Sequence, residues 1–590
     1  MSTSAGEQQV GQVGKDEPSR KIVMAVDFGT TFSGLAWAQT RKPEVQTAIM
    51  QWPDATSGGM EGISNEKVPT ELQYDGHNYK WGYQIGEDDQ RHQWFKLDLD
   101  PSQSRATSEL ARNYIDPMAA PPSYDASPEQ LVTDYLTALR KHAEQILRYK
   151  LPRSALQSLS VEYIITVPAV WSDAAQAKTR LCAEQAGMGL SCALHIISEP
   201  EAAAVYALDV LDPHIIEVGD TFVLCDAGGG TVDLISYKVT ALKPTLEITE
   251  ITPGTGLLCG SSFLNRRFEK FLEDKLGKQP GWDKDVLDEA MKRFENVTKR
   301  TFRGTAGEEF KIPVHGLLDN PRLGISRGKL TLSGDDVREI FEPVVHEVNK
   351  LVMDQVRAAK QATKIPRAVV IVGGFGQNAY LRDCLRAVLA SSNVEVIQSP
   401  NGWTAVVRGA LMRGLATTSP TFASVKISGR CARKHYGLEI HVDFIKGVHD
   451  ETRRFFSPYR GKDMIHVMRW FIKKGQTVQE DTPVRFGYRA VRLETYGHPS
   501  IIEMEIDAYS DRNDSGAHMY RDSDDVARLV DVKADLSQIP FSAFPRFTGA
   551  DGRSYIKIDI QIEITYYSAY TKYELIYDGK NYGPVAAEYV

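Results

Sequence analysis

Cysteine is scarce in this chain, and none is paired by spacing. The six (Cys182, Cys192, Cys225, Cys259, Cys384, Cys431) are scattered through 590 residues, mostly inside apolar segments, with no Cys-x-x-Cys. That pattern argues against a zinc site or a disulfide framework and for reduced thiols in a core. Excess positive charge is also missing. A formal net charge of −8 leaves no basic footprint for nucleic acid or an anionic membrane surface. No apolar run reaches the length that spans a bilayer, and residues 1–20 are polar with no hydrophobic signal core. These absences predict cytoplasmic residence, with room for a nuclear pool, and partners that are neither nucleic acid nor membrane. The polar residues 1–20 are expected to be disordered.

What is present describes an ordinary globular chain, 42% apolar and 25% charged. At this length one core is not enough, so two or more domains are expected.

Two stretches share one pattern. Residues 22–34 read Ile-Val-Met-Ala-Val-Asp27-Phe-Gly29-Thr30-Thr31-Phe-Ser-Gly, and residues 222–233 read Phe-Val-Leu-Cys-Asp226-Ala-Gly228-Gly229-Gly230-Thr231-Val-Asp233. In each, an apolar run that reads as a buried strand ends on an aspartate, passes through glycines and hydroxyls, and resumes apolar alternation. Phosphate oxygens need backbone N–H groups close by, and glycine lets the main chain approach in unusual conformations. Asp27 and Asp226 stand where a carboxylate could hold Mg²⁺ through its water shell. One such turn alone is more often a plain hairpin or bulge. Two of like grammar predict a pair of loops that close on one phosphate chain from opposite sides.

A third stretch, residues 365–389, reads as a buried strand, the double glycine Gly373-Gly374, and an amphipathic helix. Together with Thr166-Val-Pro-Ala169 and Glu199-Pro-Glu-Ala-Ala-Ala204, the set resembles the nucleotide-binding domain of the heat-shock-protein-70 family, within the actin-like ATPase superfamily. The match in motif order runs from about residue 21 to 415. It implies an α/β, two-lobed, ribonuclease-H-like ATPase domain, with lobes at about 21–218 and 219–415. A polar linker at 416–424 and a β-rich C-terminal domain at 425–590 follow.

The resemblance carries roles with it. Gly29, Thr30, Thr31, Gly228, Gly229, Gly230 and Thr231 are implied to hold the phosphates of ATP or ADP, with Asp27 and Asp226 toward Mg²⁺. Glu199, Asp226 and Asp233 are implied to place the attacking water and the metal's hydration shell. Lys96, in Trp94-Phe-Lys-Leu97, is the candidate catalytic lysine, set against the alternative of a solvated surface lysine. Phosphoryl transfer needs alignment and charge neutralisation more than covalent help, so acids plus one lysine suffice. Glu295, Lys299 and Arg300 resemble the adenosine-binding helix segment, although an i,i+4 Glu–Lys pair is common on any exposed helix. Gly260, and Gly373 with Gly374, are implied to pass beside the ribose and base. Three positions depart from the family: Gln377 replaces an arginine that lies against adenine, Arg303 a serine, and Trp403 an acidic residue.

Past residue 415 the pattern becomes strand-like. Ile556, Ile558, Ile560, Ile562 and Ile564 alternate with Lys557, Asp559, Gln561, Glu563 and Thr565, which predicts a strand with one buried and one wet face. An antiparallel sandwich or similar structure is expected here, with a hairpin turn at Asp578-Gly579. Segments such as Arg433-Lys-His-Tyr436-Gly437 resemble the atypical member-12 branch of the family, and no counterpart of a helical lid is evident. The expected function is a slow Mg-dependent ATPase whose nucleotide state alters contact with a protein partner or client. A nucleotide-bound scaffold without hydrolysis and, further off, a small-molecule kinase of the same superfamily remain alternatives.

Overall fold

The repeated strand-turn-strand pattern folds into two sheets of like order. The computed structural model describes residues 20–54, 62–76, 78–86, 89–100, 126–189, 193–211, 216–480, 482–510, 516–522, 525–567 and 569–590. The expected N-terminal tail, apart from its last residue, and Cys192 lie outside them. In the first lobe, Leu194–Ser198, Ser160–Val167 and Lys21–Asp27 run parallel, followed by antiparallel Phe32–Gln39 and Lys42–Ala48. In the second, Glu395–Gln398, Ala368–Val372 and Thr221–Ala227 run parallel, followed by antiparallel Val232–Ala241 and Leu246–Leu257.

Both central strands are buried on two faces, which is why they read as unbroken apolar runs. Val23 and Ala25 of the first, and Phe222 and Leu224 of the second, enter a shared core between the lobes. Ile22, Met24 and Val26 face a first-lobe core, while Val223 and Cys225 face a second-lobe core. Two helices fill the space between the sheets, Glu199–Asp209 and Ala405–Thr418. Their alanines and glycines let them cross closely: a Cβ on Gly409 would lie 1.7 Å from the carbonyl oxygen of Ala202. Capping explains where helices start. Ser127 accepts from the Gln130 amide at 3.2 Å ahead of Pro128–Lys150, and Ser198 does the same for Glu201 at 3.4 Å.

The C-terminal region is a β-sandwich. A six-stranded sheet, Phe455–Ser457, Lys462–Ile472, His435–Asp443, Ile501–Tyr509, Val526–Asp535 and Ala586–Tyr589, faces a second built on Val484–Leu493, Ser554–Tyr566, Thr571–Tyr577 and Lys580–Pro584. The five alternating isoleucines of Ser554–Tyr566 all enter the core between these sheets. Asp578 and Gly579 take φ of +48° and +75° to close the hairpin, as an Asp-Gly turn requires.

The strand Val425–Cys431 does not belong to the sandwich. It pairs parallel with Leu246–Leu257 and antiparallel with Thr477–Gln479, so it extends the second lobe's sheet past residue 424. The segment expected to be a turn-rich linker is short and structured, since the helix Ala405–Thr418 continues into it and a 3₁₀ turn, Pro420–Phe422, follows.

Candidate functional site

The two glycine-hydroxyl turns face each other at close range. A Cβ built on Gly229 would lie 2.2 Å from Thr31 Oγ1, and one on Gly230 would lie 2.9 Å from Thr30 Cγ2. Only glycine permits this approach. Each turn also has carbonyls tied back. Thr70 donates its hydroxyl to the Gly29 carbonyl at 2.9 Å and its amide to the Thr31 carbonyl at 2.9 Å. Opposite, the amides of Gly260, Ser261 and Ser262 donate to the carbonyls of Gly230, Gly228 and Gly229 at 3.1, 3.1 and 2.9 Å. Among the described residues, the N–H groups of Thr30, Thr31, Gly229 and Gly230 donate to no protein group. Paired turns of spare N–H donors form a cradle for an anion.

Carboxylates and lysines surround this cradle. Asp226 and Asp233 are directly paired in register across their two strands, and Glu199 opens the helix Glu199–Asp209. Lys96, fully buried, donates to Glu199 Oε1 at 2.5 Å and to the Phe28 carbonyl. It also lies 5.3 Å from the Trp171 ring centroid. A solvated surface lysine is therefore ruled out. Lys67, a residue the sequence reading missed, donates to Asp27 Oδ2 at 2.7 Å, while Thr166 Oγ1 sits 3.4 Å from the other oxygen.

Burial dominates the titration of Glu199, Asp226 and Asp233. It raises Glu199, against the pull of Lys96. It lifts Asp226 well above the usual carboxylate range, with Glu199 and Asp233 adding repulsion. Asp233 is pushed up to about 7 by burial and then by Glu199, and its Oδ1 has no hydrogen-bond partner. An orphaned buried carboxylate oxygen beside a second strained acid fits an oxygen-seeking divalent cation such as Mg²⁺. Among the described residues no three such side chains converge as direct ligands.

The other expected residues form a second group along the cleft. Lys299 bonds Glu295 and reaches Asn265 Oδ1 at 3.1 Å and the Ser261 carbonyl at 3.5 Å. Glu295 also accepts from Asn265 Nδ2 at 2.7 Å. Gly260 thus lies against the second turn, and its neighbour Ser261 joins that turn to Lys299. Arg300 is exposed and makes no hydrogen bond among the described residues. Asn378 donates to the Lys299 carbonyl at 2.8 Å, tying this segment to the loop after the double glycine. Gly373, at φ +83°, runs so close to Asp226 and Ala227 that a Cβ would lie 2.3 Å from the Ala227 carbonyl oxygen. Gly374 is covered by an indole of the chain itself: a Cβ there would lie 2.3 Å from Trp403 Cζ3. Trp403 also meets Phe32 edge-on at 5.4 Å. Gln377 is exposed.

Lys67, Asn265 and Asn378 carry no motif that would have marked them. The one signal was position, with Lys67 standing just before the Val68-Pro69-Thr70 segment that holds the first turn.

Comparison with known proteins agrees with this geometry. The family description "Hsp70 protein" matches residues 113–424. Heat shock 70 kDa protein 12A of Homo sapiens is 24% identical, over 85% of this chain and 83% of its own length. Heat shock 70 kDa protein 12B of Homo sapiens is also 24% identical, over 81% and 79%. A chaperone protein HscA homolog of Bordetella petrii is 29% identical over 42% of this chain and 35% of its own. With the match covering more than half of its residues and the two heat shock 70 kDa relatives aligned along most of its length, the chain belongs to the Hsp70 family, on the branch that resembles heat shock proteins 12A and 12B.

Proposed function

We propose that the chain binds ATP or ADP between its lobes, hydrolyses ATP slowly with Mg²⁺, and passes the nucleotide state to its β-sandwich as a change in partner binding. The observation that carries the reading is the apposition of Thr30 and Thr31 with Gly229 and Gly230. Spare N–H groups from both turns would grip the phosphates, and the two threonine hydroxyls would add donors. Lys96 would neutralise charge that develops on the terminal phosphate, held in place by Glu199 and the Phe28 carbonyl. Asp226 and Asp233 would hold Mg²⁺ through water, while Asp27, the other acid expected toward the metal, is paired with Lys67; a bound Mg²⁺ would supply charge neutralisation along the phosphate chain. Glu199 and Asp233 would orient the attacking water. At the other end, Arg300 would lie against the base, since a guanidinium stacks well on a purine, with Glu295 and Lys299 near the ribose.

A second reading is a scaffold that binds nucleotide and hydrolyses nothing. Trp403 on Gly374 and the exposed Gln377 favour it, because both alter the adenine end. Calorimetric titration of ATP and ADP tests binding, and single-turnover hydrolysis on the same protein separates the two readings. Asp226→Asn is expected to keep nucleotide and lose phosphate release by about 100-fold or more. Unchanged turnover in that variant refutes the assigned role.

A further inference from the structure

We propose that Lys67 is a resident cation at the phosphate end of the cleft, supplying part of the positive charge that Mg²⁺ would otherwise provide, so that nucleotide binding depends only weakly on the metal. The inference rests on the ATP-binding reading and specifies how that site balances its charge.

Lys67 is built into the site. It precedes the short strand Val68–Pro69, which pairs with Phe32–Gln39 beside the first turn. The Tyr83 hydroxyl donates to its carbonyl at 3.0 Å. Its stem runs over Gly34, where a Cβ would lie 3.4 Å from Lys67 Cγ. The ammonium lies 4.8 Å from the Trp403 ring centroid and pairs with Asp27. The side chains of Lys67 and Asp27 are 11% and 4% exposed, so water screens the pair little.

Charge counting explains why this matters. Four carboxylates line the cleft: Asp27, Glu199, Asp226 and Asp233. Lys67 neutralises Asp27 and Lys96 neutralises Glu199. Without Lys67, an anionic triphosphate would meet Asp27 as a further uncompensated carboxylate. Like charges in a poorly hydrated cleft repel strongly. An internal cation at Asp27 removes part of that repulsion before any metal arrives.

The test is calorimetric titration of ATP into the full-length protein, in magnesium buffer and in EDTA, for wild type, Lys67→Met and Lys67→Arg. Wild type is expected to lose less than about tenfold in affinity when Mg²⁺ is removed. In Lys67→Met, binding in EDTA is expected to fall at least about tenfold further than binding in Mg²⁺, and Lys67→Arg to restore the wild-type ratio. A wild-type loss of about 100-fold or more on metal removal overturns the proposal without any variant. So does equal weakening of Lys67→Met in both buffers, the mark of a purely structural ion pair. Absence of ATP binding by wild type in either buffer overturns the nucleotide reading itself, whereas tight binding with strict metal dependence overturns only the role of Lys67.

Discussion

At the scale of single residues, buried carboxylates set the protein's response to pH. Glu250 is the cleanest case. It lies on Leu246–Leu257, accepts from the Cys431 amide at 3.2 Å, and has a second oxygen with no partner. Burial, opposed by Arg433, pushes its carboxyl up to about 7. The folded state then holds a proton that the unfolded state has lost between about pH 4.5 and 7. Stability from this group is therefore full below the unfolded value and falls as pH rises through the folded one. Glu250→Gln is expected to raise stability by about 2 kcal/mol at pH 8 and to leave it nearly unchanged at pH 4. Urea unfolding at the two pH values checks this. Residues of the turns were legible in sequence because Thr30, Thr31 and Gly228 to Thr231 act through local backbone geometry. Lys67 was not, because its partner lies 40 positions away and no spacing rule links them.

At the scale of elements, hydrophobic period identified strands well and partners poorly. The alternation at Ile556 to Ile564 located its strand and its buried face, since one face packs and the other is wet. The strand Val425–Cys431 shows the opposite case, as nothing in its residues tells that it joins the ATPase lobe's sheet. Ile427 on that strand is buried between the lobes. Ile427→Asn leaves an amide without partners in an apolar site and is expected to cost about 3 kcal/mol. Guanidinium unfolding followed in both regions should show the loss in the ATPase domain as well as in the sandwich. The helix segment expected to carry Glu295, Lys299 and Arg300 is also interrupted: Phe294–Thr298 winds as a π-helix between Lys284–Arg293 and Lys299–Thr301. Such turns gather at functional sites, and this one carries Glu295 and leads into Lys299. Side-chain periodicity alone could not separate it from an α-helix.

At the scale of the whole molecule, a buried ionic cluster holds the strand that leads into the sandwich, and the residue after Thr477–Gln479, to the two helices between the lobes. Arg430 donates to Glu201 Oε1 at 2.8 Å and to Glu480 Oε2 at 2.9 Å, and Arg413 holds the same Glu480 at 2.6 Å. Glu201 sits two residues after Glu199 on one helix. Arg430→Met leaves Glu201 as a buried, under-compensated charge and is expected to cost about 3–5 kcal/mol. A lowered melting temperature together with faster proteolysis within residues 416–424 would mark partial release of the C-terminal region. Retention of wild-type resistance would show that the sheet pairing alone holds that region to the lobes.

The shared sheet also constrains how the chain is made. Among the described residues, its strand Leu246–Leu257 has Val425–Cys431 as its outer neighbour, and that strand in turn is flanked by Thr477–Gln479. On a ribosome, the strand Leu246–Leu257 emerges with an open edge until some 170 further residues have been translated. An unpaired edge is a template for pairing with other chains. Nascent molecules stalled short of residue 431 therefore carry an adhesive surface that the finished protein conceals.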